Sequence, residues 1–285
     1  MIAPIRPSPI AGTWYLGNPK ALARAVDEYL ARAELPELPG TVIGVIAPHA
    51  GHVYSGPVAG YAFAAVRGLK PDVVAILSPM HQPYYEPLLT TAHEAYATPL
   101  GEIPVDKVGL AELDAALVAH SSHGLAAVAN DKEHSLEIEL PFLQRALASD
   151  FRLLPVMVRS QAPKAAEALG MALAEVLQGR KALLVASTDL SHFYDQRTAG
   201  LLDAEMLRCF ETFNPQAIFD AEASGRGQAC GHAAVAAVLW AARGLGATSV
   251  RVLRHATSGD VTGDYSSVVG YGAAVILQEA PGRDD

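Results

Sequence analysis

Three predicted β-strands of this chain are each followed by a histidine. The strands and their histidines are Thr41–Ala47 with His49, Asp72–Leu77 with His81, and Ala182–Ser187 with His192. In an open α/β sheet, ligands bind outside the carboxyl ends of the strands, so we expect the three imidazoles to share one pocket. A single histidine at a strand end is as often structural as functional. Three in one chain favour a functional pocket.

Cys230 is a candidate for a further ligand in such a pocket. Imidazole binds zinc, copper, iron and nickel, and two histidines with one anionic ligand leave positions open for a substrate. Cys230 lies in a glycine-rich turn directly before an alanine-rich helix. A helix N-terminus lowers the pKa of a thiol and favours the thiolate, which binds metals or attacks as a nucleophile. The alternative is a buried turn residue without a chemical role.

Asp189 and His192 are three residues apart, in a predicted turn between a strand and a helix. An acid beside an imidazole can orient the ring and raise its pKa, as a general base or proton shuttle near neutral pH requires. Asp189 could instead be the N-cap of the following helix, because aspartate is favoured at that position.

His134 lies in an acidic segment, Glu133–Glu137, before a predicted helix. The spacing matches neither H-E-x-x-H nor H-x-x-E-H, so a zinc protease is excluded. A helix start with acidic residues in its first turn explains the segment as well as a supporting role behind metal ligands does. The chain also lacks a phosphate-binding P-loop, a G-x-S-x-G motif and a dinucleotide-binding glycine motif.

Short runs rich in valine and isoleucine alternate with longer helical patterns, which is typical of βα units around a buried, mostly parallel sheet. The predicted strands are Thr41–Ala47, Asp72–Leu77, Phe151–Val158, Ala182–Ser187, Ser249–His255 and Ser266–Leu277. The predicted helices are Asn18–Ala33, Pro57–Val66, Lys107–Ala119, Ser135–Ala148, Pro163–Gln178, Ala199–Phe213, Pro215–Ala223 and Cys230–Gly244. No linker-like run divides the chain, so we predict a single α/β domain over residues 1–285, with a charged, flexible tail at 280–285.

Composition excludes several classes of protein. The net charge of −9 argues against nucleic-acid binding, which needs clustered lysine and arginine. The longest apolar run, Ala233–Ala242, is far shorter than the roughly 20 residues of a membrane span. The N-terminus has no apolar signal region, and two cysteines, Cys209 and Cys230, make no disulfide framework. We therefore expect a cytoplasmic protein, in which Cys209 is a core residue.

Several ordered motifs resemble those of the Memo family. They are Pro48-His49-Ala50-Gly51 with Tyr54-Ser55-Gly56, Ser78-Pro79-Met80-His81, Glu133-His134-Ser135-Leu136-Glu137, Asp189-Leu190-Ser191-His192 and Cys230-Gly231. Ala11-Gly12-Thr13-Trp14-Tyr15 and Thr262-Gly263-Asp264 are also similar to family segments, so the resemblance covers nearly the whole chain.

The resemblance implies a fold like that of the class III extradiol dioxygenases, which hold non-haem Fe(II) with two histidines and a carboxylate. In Memo-like proteins the histidine ligands match His49 and His81, and a cysteine matching Cys230 replaces the carboxylate. Asp189 and His192 then line the same pocket, and iron or copper is the implied cofactor. His232 departs from the family pattern, which leaves an extra ligand open. The implied functional partners are a radical-SAM protein and an AMMECR1-like protein of the AmmeMemoRadiSam system.

Three functions are compatible with these residues. The first is metal-dependent redox or oxygenase-like chemistry on an unknown substrate, with His192, Asp189 and His134 as the catalytic candidates. The thiolate softens such a site, favours Cu(I) and counts against simple ring cleavage. The second is a metal-free enzyme with Cys230 as nucleophile and a histidine as base. The third is a non-catalytic module that binds a peptide or small molecule through an aromatic surface of Tyr54, Tyr84 and Tyr85. A homodimer is compatible with all three.

Overall fold

The apolar runs form a twisted central sheet that is buried from solvent. The computed structural model describes residues 3–121 and 123–279. Its strands are β1 (Ile5–Arg6), β2 (Thr41–Ala47), β3 (Val73–Pro79), β4 (Leu88–Thr91), β5 (Ala95–Thr98), β6 (Gly101–Pro104), β7 (Ala126–Val128), β8 (Arg152–Val158), β9 (Ala182–Ser187), β10 (His192–Tyr194), β11 (Ser249–Thr257) and β12 (Val268–Gln278).

Parallel strands make up the middle of the sheet. The strand order is β10-β12-β2-β9-β3-β8-β4-β7, with β11 paired to β12 as well. The pairs β2·β9, β9·β3 and β3·β8 are parallel, whereas β12 and β4 join this centre in antiparallel pairs. The sheet is therefore mixed, and the predicted parallel arrangement describes its four central strands. A second, small sheet has the order β1-β5-β6.

Helices flank the sheet. They are α1 (Pro19–Arg32), α2 (His52–Ala64), α3 (Lys107–Ser121), α4 (Leu140–Ala146), α5 (Pro163–Leu177), α6 (Gln196–Glu211), α7 (Pro215–Ala223), α8 (His232–Gly244) and α9 (Gly259–Thr262), with a 3-10 turn at Glu137–Glu139. Helix α8 packs against β2, β3, β8 and β9, and α2 packs against β2, β11 and β12. The single α/β domain predicted from the sequence is thus confirmed. Within the described residues, no helix has both the length and the apolar character that crossing a membrane requires.

Two predicted boundaries were wrong for a physical reason. Helix α2 begins at His52 and contains Pro57, although a proline usually opens a helix. Pro57 removes only one hydrogen bond here, the one to the carbonyl of Val53, and Val53 is an exposed residue in the first turn of the helix. The predicted helix Ser135–Ala148 is instead a 3-10 turn followed by the short helix α4, which has Pro141 in its first turn. The predicted tail at 280–285 lies outside the described residues.

Candidate metal centre

Three histidines meet at the carboxyl end of the central strands. His49 follows β2, His81 follows β3, and His134 lies in the loop between β7 and the 3-10 turn. One ring nitrogen from each lies within 4.8 Å of the others. The ring centroids of His81 and His134 are 4.8 Å apart, and both rings lie within 5.5 Å of the ring of His49. Three imidazoles at this spacing can bind one metal ion.

His49 is held by hydrogen bonds on its backbone and on one ring nitrogen. Its backbone N–H donates to Asp189 Oδ1 at 2.7 Å, and its Nδ1 lies 3.0 Å from Ser187 Oγ. Burial lowers the pKa of His49 well below its ordinary value, and the neighbouring His134 and His81 lower it further. The ring is therefore neutral. Its other nitrogen, Nε2, is directed at the sulfur of Cys230, 3.1 Å away.

His81 is oriented by a buried carboxylate, Glu133. Oε1 of Glu133 lies 2.9 Å from His81 Nδ1, and Oε2 accepts the backbone N–H of His81 at 2.7 Å. The backbone N–H groups of His134 and Ser135 also donate to Oε1. Burial alone would raise the pKa of Glu133, but these hydrogen bonds and the adjacent imidazoles bring it well below its usual range. A carboxylate behind an imidazole is a typical arrangement around metal ligands. Glu133 therefore supports the site rather than opening a helix.

His134 lies between the cluster and the N-terminal segment. Its ring stacks on His81 and lies 4.0 Å from the ring of Trp14, measured between centroids. Burial lowers the pKa of His134 to about 4, against the opposing effect of Glu133. The ring is neutral at pH 7 and offers a nitrogen lone pair. The structure thus places His134, predicted as catalytic, among the nitrogens that can hold a metal.

Cys230 lies beside His49 but outside the group of three histidine nitrogens that lie within 4.8 Å of one another, and its environment differs from the predicted one. The backbone N–H of Asp189 donates to its sulfur at 3.3 Å. Burial raises the pKa of the Cys230 thiol above its ordinary value, and Asp189 raises it further. The expectation that the helix N-terminus would lower this pKa was wrong, because burial outweighs the nearby backbone N–H donors and α8 begins only at His232, after the N-cap Gly231. A Cβ atom on Gly231 would come within 2.4 Å of the Ser187 carbonyl oxygen, so glycine lets this turn approach β9 closely.

Comparison with known proteins places this chain in a family. A family model described as Memo-like protein matches residues 6–275. The chain belongs to the Memo-like family. A MEMO1 family protein of Nitrosopumilus maritimus is 33% identical over 279 residues, covering 96% of this chain and 100% of the relative. A MEMO1 family protein of Thermotoga neapolitana is 36% identical, covering 95% of this chain and 99% of the relative.

A solved structure shares the fold of this Memo-like chain. It is that of an uncharacterized protein, JW3007, of Escherichia coli K12. The TM-score is 0.53 at 13% identity, and the match covers 82% of this chain and 100% of the other. At this identity the likeness concerns the fold alone.

Asp189 and His192 lie at the site of the Memo-like chain, but they do not pair with each other as predicted. The carboxylate of Asp189 accepts the backbone N–H groups of His49 and Ala50, and burial raises its pKa to about 7. His192 Nδ1 bonds instead to the carbonyl of Leu190 at 2.8 Å. Asp189 is no N-cap either, because β10 follows it and the cap of α6 is Asp195. Asp189 fixes the backbone of His49 rather than the ring of His192.

His232 lies apart from the cluster in the Memo-like chain. Its Nδ1 is 3.0 Å from the carbonyl oxygen of Ala229, and its ring meets the ring of Phe219 edge-on at 5.4 Å. It does not belong to the group of histidines that can share a metal. His232 is therefore a residue of the α7–α8 packing. Cys209, predicted as core, is buried.

A cavity of about 450 Å³ lies beside the histidines, and sequence reasoning missed most of its wall. It is lined by Thr13, Trp14, Ala50, Gly51, Val53, Tyr54, Phe193, Ser258, Thr262, Ser267, Val269 and Tyr271. Of the three tyrosines predicted as a recognition surface, Tyr54 lines this cavity. Tyr84 packs against the core and Tyr85 is fully exposed. The sequence did carry a signal for Phe193, because it directly follows the candidate residue His192.

Proposed function

We propose that this Memo-like chain binds one iron or copper ion through His49, His81 and Cys230, and that it carries out redox or oxygenase-like chemistry on a small molecule. The observation that carries this proposal is the distance of 3.1 Å between His49 Nε2 and Cys230 Sγ. A nitrogen and a sulfur at this separation suit two ligands of one ion, given metal–ligand bonds of about 2.0–2.3 Å. Imidazole and thiolate together form a soft donor set that suits iron and copper.

The side chains around these ligands have separate tasks in the proposed site. His134 offers a further nitrogen next to His81. The Nδ1 of His192 is bonded to Leu190, and among residues 3–121 and 123–279 its Nε2 has no hydrogen-bond partner, so it can hold or deliver a proton at Nε2. The bound ion would supply Lewis acidity and electron transfer. The cavity walled by Trp14 and Phe193 provides an apolar, small-molecule-sized space beside the cluster.

The test is the metal content of protein purified without chelating tags. Wild type is measured beside the variants His49→Ala, His81→Ala and Cys230→Ser, with His232→Ala as the matched control. We expect all three ligand variants to lose most of the bound iron or copper, and His232→Ala to retain it. Unchanged metal content in the three ligand variants would refute the proposal.

A metal-free cysteine enzyme is disfavoured by the state of Cys230. Because burial raises the pKa of its thiol, little of the reactive thiolate is present at neutral pH. Alkylation with iodoacetamide tests this point. The thiol should react slowly with and without a chelator, whereas rapid labelling of metal-free protein would favour a free nucleophile.

A second candidate function is non-catalytic binding of a small molecule. The cavity favours it, because four aromatic side chains line a space that is mostly apolar: Trp14, Tyr54, Phe193 and Tyr271. Ligand binding that persists in the Cys230→Ser variant after metal removal would support this function over the first.

A further inference from the structure

Glu139 is a buried acid directly behind the histidine cluster. It belongs to the 3-10 turn Glu137–Glu139, and its side chain has no exposure to solvent. Its Oε1 lies 2.6 Å from Ser187 Oγ. Its Oε2 has no hydrogen-bond partner among residues 3–121 and 123–279. A buried carboxylate without a donor at one oxygen is unfavourable, so the protonation state of Glu139 needs an explanation.

The hydrogen bonds of the Ser187 hydroxyl indicate the protonation state of Glu139. This hydroxyl has one hydrogen and two lone pairs, and it has three partners: the Ser135 carbonyl at 2.7 Å, Glu139 Oε1 and His49 Nδ1. The carbonyl can only accept, so it takes the single hydrogen. Both lone pairs then need donors. A protonated Glu139 and a protonated Nδ1 of His49 give this hydroxyl all three of its hydrogen bonds at once, and Oε2 of Glu139 is then an uncharged carbonyl oxygen rather than part of a buried carboxylate. An ionised Glu139 would compete with the carbonyl for the same hydrogen.

We propose that Glu139 is a neutral carboxylic acid that donates a hydrogen bond to Ser187, and that this bond helps to fix His49 in the tautomer with its hydrogen on Nδ1. Nε2 of His49 then carries a lone pair toward Cys230. Because Ser187 also holds the carbonyl of Ser135, the same hydroxyl ties His49 to the loop that carries Glu133 and His134. Glu139 is thus a positioning residue. This role rests on the proposed metal site, whereas its protonation does not.

The electrostatic environment agrees with this assignment. Burial raises the pKa of Glu139 well above its ordinary value, and the nearby Asp189 raises it further. Groups behind a metal ligand commonly set its tautomer and ring orientation.

Glu137 offers a matched control on the same turn. It is equally buried, but the Arg6 guanidinium, the Tyr15 hydroxyl and the Ser8 hydroxyl all point at its carboxylate oxygens. Three donors and one positive charge stabilise an ionised acid. Burial raises the pKa of Glu137 as well, but Arg6, Ser8 and Tyr15 oppose that effect, whereas Glu139 has no cation beside it among the described residues. We therefore expect Glu137 to be ionised where Glu139, two residues away, is neutral.

Infrared spectroscopy of metal-free protein at pH 7 tests the protonation of Glu139. Asp189, whose pKa is about 7, also contributes to the carbonyl-stretch region of protonated carboxylic acids, so the readout is the difference spectrum between wild type and each variant. Glu139→Gln, which keeps the size of the side chain, should lose one carboxylic-acid component, whereas Glu137→Gln should lose none. A difference spectrum of wild type minus Glu139→Gln without a carboxylic-acid band would overturn the proposal. This result does not depend on whether the protein binds a metal.

Anaerobic titration with Fe(II) tests the positioning role. Loss of a group behind a metal ligand typically weakens binding 10–100-fold, so we expect about tenfold weaker binding in Glu139→Ala. Glutamine can donate an N–H to Ser187, so Glu139→Gln should recover the affinity to within about threefold of wild type. Nitrogen NMR should find the hydrogen of His49 on Nδ1 in wild type and in Glu139→Gln. A glutamine variant as weak as the alanine variant, or a hydrogen on Nε2 of His49 in wild type, would refute this role.

Discussion

The histidine cluster and the wall of the neighbouring cavity are built in opposite ways. In the cluster, the Nδ1 atoms of His49 and His81 have oxygen partners, and the Nδ1 of His134 lies 3.3 Å from Glu133. At the cavity wall, Phe193 has a φ of 65° and a side chain that is 76% exposed. The histidine rings are therefore oriented by the protein alone. The cavity wall, in contrast, has an unfavourable backbone conformation and an exposed apolar ring at Phe193.

Phe193 differs from the other described non-glycine residues with positive φ. Asparagine tolerates this conformation, which accounts for Asn130. Phe213 follows the C-cap Thr212 of α6, where a left-handed residue is common. Phe193 has neither explanation and lies in β10, where the register with β12 is irregular. Backbone strain of this kind often accompanies function, so we expect the positive φ of Phe193 to destabilise the folded protein at the cavity wall.

The largest effect on stability should come from replacing Arg6, which anchors the loop that carries Glu133 and His134. Arg6 is buried, forms two hydrogen bonds with the carboxylate of Asp131 and pairs with Glu137, and it also donates to the Glu133 carbonyl. Arg6→Met leaves two buried carboxylates without their cation, so we expect a loss of about 3–5 kcal/mol in the free energy of unfolding. Urea denaturation measures this loss.

The control is the surface ion pair of Arg24 and Glu28, which is mostly exposed. Arg24→Met should change the free energy of unfolding by less than about 1 kcal/mol. If Arg6→Met were equally mild, the buried network would not hold the loop in place.

A smaller effect is expected from the carboxylate behind His81. Glu133→Gln replaces one accepting oxygen by an NH₂ group, which would face an N–H donor of the backbone or of His81. Fe(II) or copper affinity should fall about 10–100-fold, which corresponds to about 1.4–2.8 kcal/mol. The exposed Glu94, which pairs with Lys107, provides the control variant Glu94→Gln. Equal affinities in the two variants would mean that Glu133 does not orient a ligand.

The same contrast explains what the sequence could and could not predict. His49, His81 and Cys230 could be predicted as neighbours because they follow strands or lie in the turn before a helix, which fixes their place at one edge of the sheet. The pairing of Asp189 with His192 was wrong, because spacing along the chain does not reveal that Asp189 reaches across to the backbone of the β2 end. Glu139 was missed, since its role depends on Ser187, 48 residues away in sequence. Hydrogen-bond partners between distant segments leave no local pattern.

The smallest effect on stability is expected at Phe193, and it tests the contrast between the histidine cluster and the cavity wall most directly. Glycine adopts positive φ readily, so Phe193→Gly should relieve strain and raise the free energy of unfolding by about 1 kcal/mol. Because the ring is mostly exposed, its removal costs little burial. Phe193→Ala is the matched control, since it removes the ring but keeps the strained backbone. Thermal unfolding of both variants separates the two contributions. Equal stability of the glycine and alanine variants would mean that the backbone of β10 stores no strain, and the cavity wall would then resemble the cluster in its energetics.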